Sequence, residues 1–494
     1  MADQRIPQEL KAFAGEYQRI PVSKTIPALN RTPVEVFKIL KNVSRQCFIL
    51  ESLEDSGLWG RYTFLGCDPK LEISCINGEL SIRNGTCIRL SGADPGEHIR
   101  RILEENRSPR LQDMPPFTGG LVGYFSYDYV KYGEPALNLD AEDQEGFKDV
   151  DLMLFDKVIA WDRLEQTIIL LLNIRTDALE ENYNRALMEL DSLARLLESG
   201  RAAEMKPLSL LSPFRRLFTQ EQYCAMVKKA QDYIREGDIF QAVLSNRLEA
   251  DMEGSLFDTY LALREINPSP YMFYFSSDDG GGGPGQGPFE IAGASPETLV
   301  KLKDGILYTF PLAGTRRRGK TPEEDEALEK ELLSDPKELA EHNMLVDLGR
   351  NDLGKVSEFG SVEVEKYLTI ERFSHVMHIG STVRGKILGG KTALDAVNAV
   401  LPAGTLSGAP KIRACQIINE LENNKRGIYG GAIGYIDFSG NMDTCIAIRI
   451  AFRKGGKVFV RSGAGIVADS VPESEYQECE NKMQAVIKAL QTVV

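Results

Sequence analysis

Hydrophobic and polar positions divide the chain into two parts. Up to residue 205, short apolar stretches alternate with turn signals such as Asn77-Gly78 and Asn84-Gly85. Between those turns, Glu79-Leu-Ser-Ile-Arg83 alternates polar and apolar positions, which predicts a half-buried strand. The stretch Leu179–Leu197 predicts a helix ending near Gly200. Residues 198–214 lack periodicity and contain Pro207 and Pro213, so a boundary is expected there, with one region over 1–205 and a second over 215–494.

The second region opens on a well-marked helix. Thr219 and Gln222 fit a capping box, and Tyr223, Met226, Val227, Ala230, Tyr233 and Ile234 form one apolar stripe. Gly237 stands where a C-terminal cap belongs, and Ile239–Leu248 predicts a strand. The run Asp278-Asp-Gly-Gly-Gly-Gly-Pro-Gly-Gln-Gly287 can bury almost nothing and predicts a mobile loop or a crossing linker.

Composition narrows the class. Of 494 residues, 43% are hydrophobic and 8% aromatic, enough for a sizeable core and too many for a disordered chain. The formal net charge of −14 argues against nucleic acid and anionic membranes as partners. The longest aliphatic run, within Thr167–Ile174, falls far short of the ~20 residues that span a bilayer. Met1-Ala-Asp-Gln-Arg5 has neither the apolar core of a signal peptide nor transit-peptide character, so a soluble cytoplasmic protein is expected. Eight scattered cysteines with no C-x-x-C pair read as reduced, packed thiols. Four histidines are too few for a multi-histidine zinc centre.

Two helices carry candidate chemistry. Asp335 is a good N-cap, Pro336 suits the first helical position, and the helix that follows bears Glu338, Glu341 and His342 at spacings that put Glu338 beside both others. A last helix starting at Pro472 bears Glu475, Glu478 and Lys482 on one face. Each set taken alone is an ordinary solvated acidic face. If the two faces meet, four carboxylates converge, and oxygen-only ligands suit a hard ion such as Mg²⁺. A di-iron bundle would need Glu-x-x-His on two helices, whereas Glu338 to His342 spans four and the last helix has no histidine. Pro402-Ala-Gly-Thr-Leu-Ser-Gly-Ala-Pro-Lys411 departs from the Walker A spacing, since three residues separate its glycines and Ala409-Pro410 precede the lysine. It and Ser462-Gly463-Ala464-Gly465 remain either tight turns or backbone anion cradles.

Taken in order, several segments resemble the chorismate-binding enzymes, and most closely their anthranilate synthase component I branch. They are Gly237-Asp-Ile-Phe-Gln-Ala-Val-Leu-Ser245, Gly293-Ala-Ser-Pro-Glu297, Pro311-Leu-Ala-Gly-Thr315 and Glu341-His-Asn-Met-Leu-Val-Asp-Leu-Gly-Arg-Asn-Asp352. They continue with Val376-Met-His378, Pro402–Lys411, Ile428-Tyr-Gly-Gly431, Ile448-Arg449 and Gly463–Ala468. The first region matches more weakly, through Leu50-Glu51-Ser52 and Arg61-Tyr-Thr-Phe-Leu-Gly66. The resemblance implies an α+β fold: a mixed α/β sandwich of two large antiparallel-rich sheets with helices outside, the N-terminal region intertwined with the catalytic one.

The resemblance also implies chorismate as substrate and Mg²⁺ as cofactor. Glu297 would be the general acid, Thr405 would lie near the C4 hydroxyl, and His378 would lie near the ring as a candidate for proton transfer. Glu341 and Glu478 would hold the ion directly, with Glu338 and Glu475 completing its shell. Lys482 and the Gly465 backbone would hold the ring carboxylate, beside Gly463, and Arg449 and Tyr429 the enolpyruvyl carboxylate. Two positions discriminate within the family. Gln241 stands where water-adding members carry a lysine base, and Ala313 where aminodeoxychorismate synthases carry a reactive lysine. Both point to ammonia as the nucleophile. The chain has no glutaminase signature, so a separate glutamine amidotransferase subunit is implied. L-Tryptophan is implied as a feedback inhibitor around Leu50, Glu51, Ser52, Asn267, Pro270, Tyr271 and Met272, with Tyr435 nearby. Glu51 would hold its ammonium group, and Pro268, Pro270, Tyr271 and Met272 would offer an apolar wall. An aminodeoxychorismate synthase component I, or a non-catalytic chorismate- or tryptophan-binding regulator, is the alternative.

Overall fold

A computed structural model describes residues 6–28, 31–53, 60–278, 288–372 and 376–492. The glycine-rich stretch expected to be mobile falls, from residue 279 to 287, outside the described residues, as does the Met1–Arg5 start.

Two large sheets face each other, and every ladder between their strands is antiparallel. One runs from Arg19–Pro27 through Thr167–Arg175, Lys157–Asp162, Tyr62–Cys67 and Cys47–Glu51 to Tyr271–Asp278. It continues through Pro288–Ser295, Ile450–Lys454, Lys457–Ile466 and Gln241–Glu253. The other runs from Leu312–Arg317 through Val376–Lys386, Ile306–Thr309, Thr298–Lys303, Met442–Ile446 and Ala432–Asp437 to Gly120–Phe125. Val150–Phe155, Leu71–Ile76, Glu79–Arg83 and Cys87–Leu90 complete it. Strands from before residue 205 and after residue 215 therefore sit in both sheets, joined where Leu50 pairs with Phe273 and where Gly123 pairs with Gly434.

The side-chain period of two explains the buried faces. Phe48, Phe273 and Phe275 point into an aromatic layer between the sheets, with Phe64, Phe117, Phe155, Phe452 and Phe459. Their neighbours Cys47, Ile49, Met272 and Tyr274 point the other way, against outer helices that include Gln220–Arg235 and Pro472–Gln491. Strands covered on both faces read as continuous apolar runs, as these do.

The helix expectations hold. Thr219 and Gln222 form a capping box, Gly237 has φ +85°, and Gln220–Arg235 lies between them. Leu179–Ser199 ends beside Gly200, and Pro336–Gly354 starts directly after its Asp335 cap. The strand expected at Ile239–Leu248 runs over Gln241–Glu253 instead, because its partner Lys457–Ile466 continues the ladder to Asp251. All eight cysteines are free, and only Cys87 is exposed. Among the described residues, no helix is long and apolar enough to cross a membrane.

Candidate active site

Two chain crossings between the sheets build the centre. The chain leaves the first sheet at Ser295 and enters the second at Thr298, and Glu297 sits on that crossing. It returns between Ile446 and Ile450, and Arg449 sits there. The crossings are hydrogen-bonded to each other: the Ile446 amide donates to the Glu297 carbonyl at 2.9 Å, and the Ala294 amide to the Arg449 carbonyl at 3.2 Å. Arg449 adopts φ +52°, a left-handed conformation costly for a residue with a Cβ and one that recurs at functional sites.

Glu297 is half-buried, and desolvation pushes its carboxyl up to about 7 against the opposing pull of the Thr405 hydroxyl and of Lys482. Thr405 Oγ1 donates to Glu297 Oε1 at 3.1 Å. Thr405 lies on the short 3₁₀ turn Gly404–Leu406, so the glycine-rich segment is a tight turn presenting a hydroxyl.

His378 lies on the Val376–Lys386 strand. Its Nδ1 lies 2.9 Å from the Gly314 carbonyl and 3.0 Å from Thr315 Oγ1. A carbonyl can only accept, so Nδ1 carries the proton and Nε2 is the basic nitrogen. Burial, with the Arg449 charge, lowers its pKa and keeps the ring neutral. Ala313 is buried on the adjacent strand, opposite Ile379.

Gln241, Gly463, Gly465 and Tyr429 form another wall. A Cβ on Gly465 would come within 2.6 Å of the Gln241 amide nitrogen, and one on Gly463 within 3.0 Å of the Tyr429 hydroxyl. Glycine at both positions keeps this wall recessed. Tyr429 is buried, and burial raises its hydroxyl pKa, so it stays a neutral donor.

The acidic quartet comes together loosely. Burial raises the Glu341 pKa, and the charges of Glu338 and Glu478 add to the rise. Burial likewise raises Glu475, with Glu478 adding to it. The two helices therefore lie within electrostatic reach of one another. Each face is also met by a cation: Arg316, from the strand Leu312–Arg317, donates to Glu338 at 3.1 Å, and Lys482 lies 2.7 Å from Glu478. Among the described residues, no three carboxylate, histidine or thiol groups close on one point as a preformed cage. Lys482 also donates to the Gly463 carbonyl at 3.1 Å. The donor set still fits a hard divalent ion: it is all oxygen, and like charges that raise one another's pKa are relieved by a cation between them.

The residues expected around an inhibitor are adjacent, with differences. The Leu53 amide donates to the Ser269 carbonyl, and Glu51 pairs with Met272. Leu50 is half-buried beside Phe273, and Ser52 is buried with an unpartnered hydroxyl. Both Glu51 oxygens are already engaged. Arg264 Nε donates to one at 2.6 Å, Arg163 Nη2 to the other at 2.9 Å, and the Tyr260 hydroxyl also donates. Arg163 and Arg264 come from distant segments, and no sequence signal pointed to them. Tyr271 and Met272 form no common wall of side chains either. They begin a strand, so Tyr271 turns inward to bond Thr298 and Asp443, each at 2.8 Å, while Met272 turns to the helix side. Pro270 is half-buried just before that strand. Tyr435 stacks on Phe117 at 4.3 Å and pairs with Asp443. Asn267 accepts from Arg449.

The model of the family described as chorismate binding enzyme matches residues 45–488. The chain belongs to the chorismate-binding enzymes. Relatives within that family agree along nearly the whole length. One named anthranilate synthase component 1, from Acetivibrio thermocellus, is 46% identical over 493 residues, covering 98% of this chain and 97% of that one. Another of the same name, from Acinetobacter calcoaceticus, is 46% identical over 481 residues and covers 96% of each. The crystal structure of anthranilate synthase component I from Streptococcus pneumoniae TIGR4 superposes with a TM-score of 0.72 at 39% identity, over 88% of this chain and 93% of that one. A menaquinone-specific isochorismate synthase from Escherichia coli shares the fold at 18% identity, with a TM-score of 0.69 over 98% of each chain. The candidate site of this chorismate-binding enzyme thus combines a half-buried acid, a neutral histidine, an arginine corner and an acidic helix pair.

Proposed function

We propose that the chain is the chorismate-converting component of an anthranilate synthase, acting in the cytoplasm on ammonia that a separate glutamine amidotransferase subunit supplies. The observation that carries the reading is the pair Glu297–Thr405: a carboxyl with its pKa raised to about 7, touching a hydroxyl, on a crossing hydrogen-bonded to the one that holds Arg449.

Replacing the C4 hydroxyl of chorismate requires hydroxide to leave, and hydroxide is a poor leaving group. Glu297, protonated up to about pH 7, donates the proton that turns it into water. Ammonia adds at C2 as the C4–O bond breaks and water leaves, and the C2 ammonium so formed returns a proton to the Glu297 carboxylate. Gln241 and Ala313 offer no amine base, and neutral ammonia needs none. Nε2 of His378 then takes the C2 proton as the C3–O bond breaks and the ring becomes aromatic; the enolpyruvate that leaves takes up a proton and becomes pyruvate. Arg449 orients the enolpyruvyl carboxylate with Tyr429, and Lys482 with the Gly465 backbone orients the ring carboxylate. Glu341 and Glu478 would hold Mg²⁺ directly, with Glu338 and Glu475 around it, and the bound ion would draw charge from the ring carboxylate.

L-Tryptophan inhibition belongs to the same proposal. Its site is the junction of Leu50-Glu51-Ser52 with Asn267–Met272, where the Ser52 hydroxyl has no partner. An ammonium group reaching Glu51 competes there with Arg163 and Arg264.

The test incubates the purified chain with chorismate, Mg²⁺ and ammonium from neutral to mildly alkaline pH. Anthranilate fluorescence is the expected result. Isochorismate, salicylate or 4-amino-4-deoxychorismate as the main product, or no product, overturns it.

A further inference from the structure

One fully buried guanidinium touches three walls of the site. Arg426 Nη1 donates to the Leu406 carbonyl at 2.7 Å, next to Thr405. Its Nη2 donates to the Val243 carbonyl at 2.6 Å, two residues from Gln241. Its Cζ lies 4.5 Å from the Tyr127 ring centroid and 5.9 Å from that of Tyr429. Glu422, equally buried, accepts from Arg426 at 2.6 and 3.0 Å, from Arg461 at 2.8 Å, and from the Ser245 amide at 2.8 Å. Buried charges of this kind are costly unless paired and fully hydrogen-bonded, and removing one partner strands the other.

We propose that Arg426 is a positioning residue for the reaction: it fixes the Thr405 hydroxyl on Glu297, and Tyr429 beside Gly463, by clamping the Leu406 and Val243 carbonyls from beneath. The inference rests on the functional reading above for the roles of Glu297 and Tyr429. A planar fork is needed because two carbonyls on different elements and one carboxylate must be met at once. A lysine keeps the charge for Glu422 but not that geometry.

The test is Arg426→Lys in the full chain, with folding checked by thermal unfolding. The expected result is a fall in kcat of at least about tenfold with chorismate KM changed less than about threefold, as loss of orientation in the transition state gives. The Thr405 bond favours the charged form of Glu297, and Lys482 is the facing charge, which the variant leaves in place. Loosening Thr405 therefore moves the upper pH limb of kcat to higher pH. Thr405→Ala moves it the same way, and the double variant moves it no further. A folded Arg426→Lys enzyme with unchanged kcat and pH limb, losing only melting temperature, overturns the proposal. Arg426→Gln serves as the second variant should the lysine form fail to fold. The carboxyl is also read directly: the infrared band of protonated Glu297, identified by its loss in Glu297→Gln, should titrate higher in the Arg426 variants. That readout needs no turnover. Failure of the unmodified chain to make anthranilate thus overturns the functional reading, while an unshifted band overturns the positioning role.

Discussion

Arg449 Nη1 donates to Asn267 Oδ1 at 3.0 Å. One residue belongs to the proposed substrate pocket and the other to the proposed inhibitor pocket, so a single hydrogen bond joins them. Asn267 in turn donates to Ser269 Oγ at 3.1 Å, and the Ser269 carbonyl takes the Leu53 amide. An occupant at this junction that draws Asn267 away changes what holds a strained arginine.

Asn267→Ala should uncouple the two ligands. Tryptophan's effect on chorismate affinity should drop by about fivefold or more, and chorismate's effect on tryptophan affinity by the same factor, since coupling between binding equilibria is reciprocal. Titration calorimetry with each ligand, in the presence and absence of the other, checks this. Undiminished coupling would show that another route carries it.

Ser52→Phe should fill the space around the unpartnered hydroxyl. Ammonia-dependent turnover should persist while millimolar tryptophan no longer inhibits. A variant still inhibited as strongly as the parent chain would move the inhibitor site elsewhere.

Glu341→Gln and Glu478→Gln should each lower Mg²⁺-dependent turnover by about a hundredfold or more, because one missing ligand charge removes several kcal/mol of stabilisation. Mg²⁺ should raise the melting temperature of the parent chain, and raise that of either variant less. Arg449→Ala should instead raise chorismate KM. Near-normal kinetics in all three would dismantle the assigned site.

Glu297 makes stability depend on pH in a definite direction. Its folded pKa of about 7 lies above the ordinary carboxyl value, so the folded state holds its proton more tightly than the unfolded one. The linked stability is complete below the unfolded value and is lost as pH rises toward 7. Glu297→Gln, which never ionises, should therefore match the parent near pH 4 and exceed it above pH 8 by about 2 kcal/mol, discounted for partial exposure. Denaturant unfolding at the two pH values measures it. Equal stability at both would mean the carboxyl is not held near neutrality.

Local signals carried the helices well, because caps and stripes are local physics. Asp335 followed by Pro336 marks one helix start, and Pro472 another. The family motifs carried Glu297, Thr405, His378 and Arg449 into one region. Strand neighbours were not legible: nothing near Cys47–Glu51 says that Tyr271–Asp278 lies beside it. Buried charges were equally hidden. Arg163 and Arg264 converge on Glu51, and Arg461 on Glu422, only after distant segments have packed, and each reads as a surface residue in sequence. Tyr271 and Met272 differ from expectation for a simpler reason: a pair expected to share one apolar wall instead begins a strand, whose pleat separates them.

The interleaved sheets set an order of birth for this molecule. On the ribosome, Gly120–Phe125 emerges long before Ala432–Asp437, the strand that completes its pairing, and Cys47–Glu51 waits for Tyr271–Asp278. The nascent chain thus carries open strand edges and a half-covered aromatic layer through most of its synthesis, surfaces prone to pair with other chains. Neither part should fold when translated alone. Refolding from denaturant should be slow and concentration-limited, and chaperones that shield apolar strands should raise its yield.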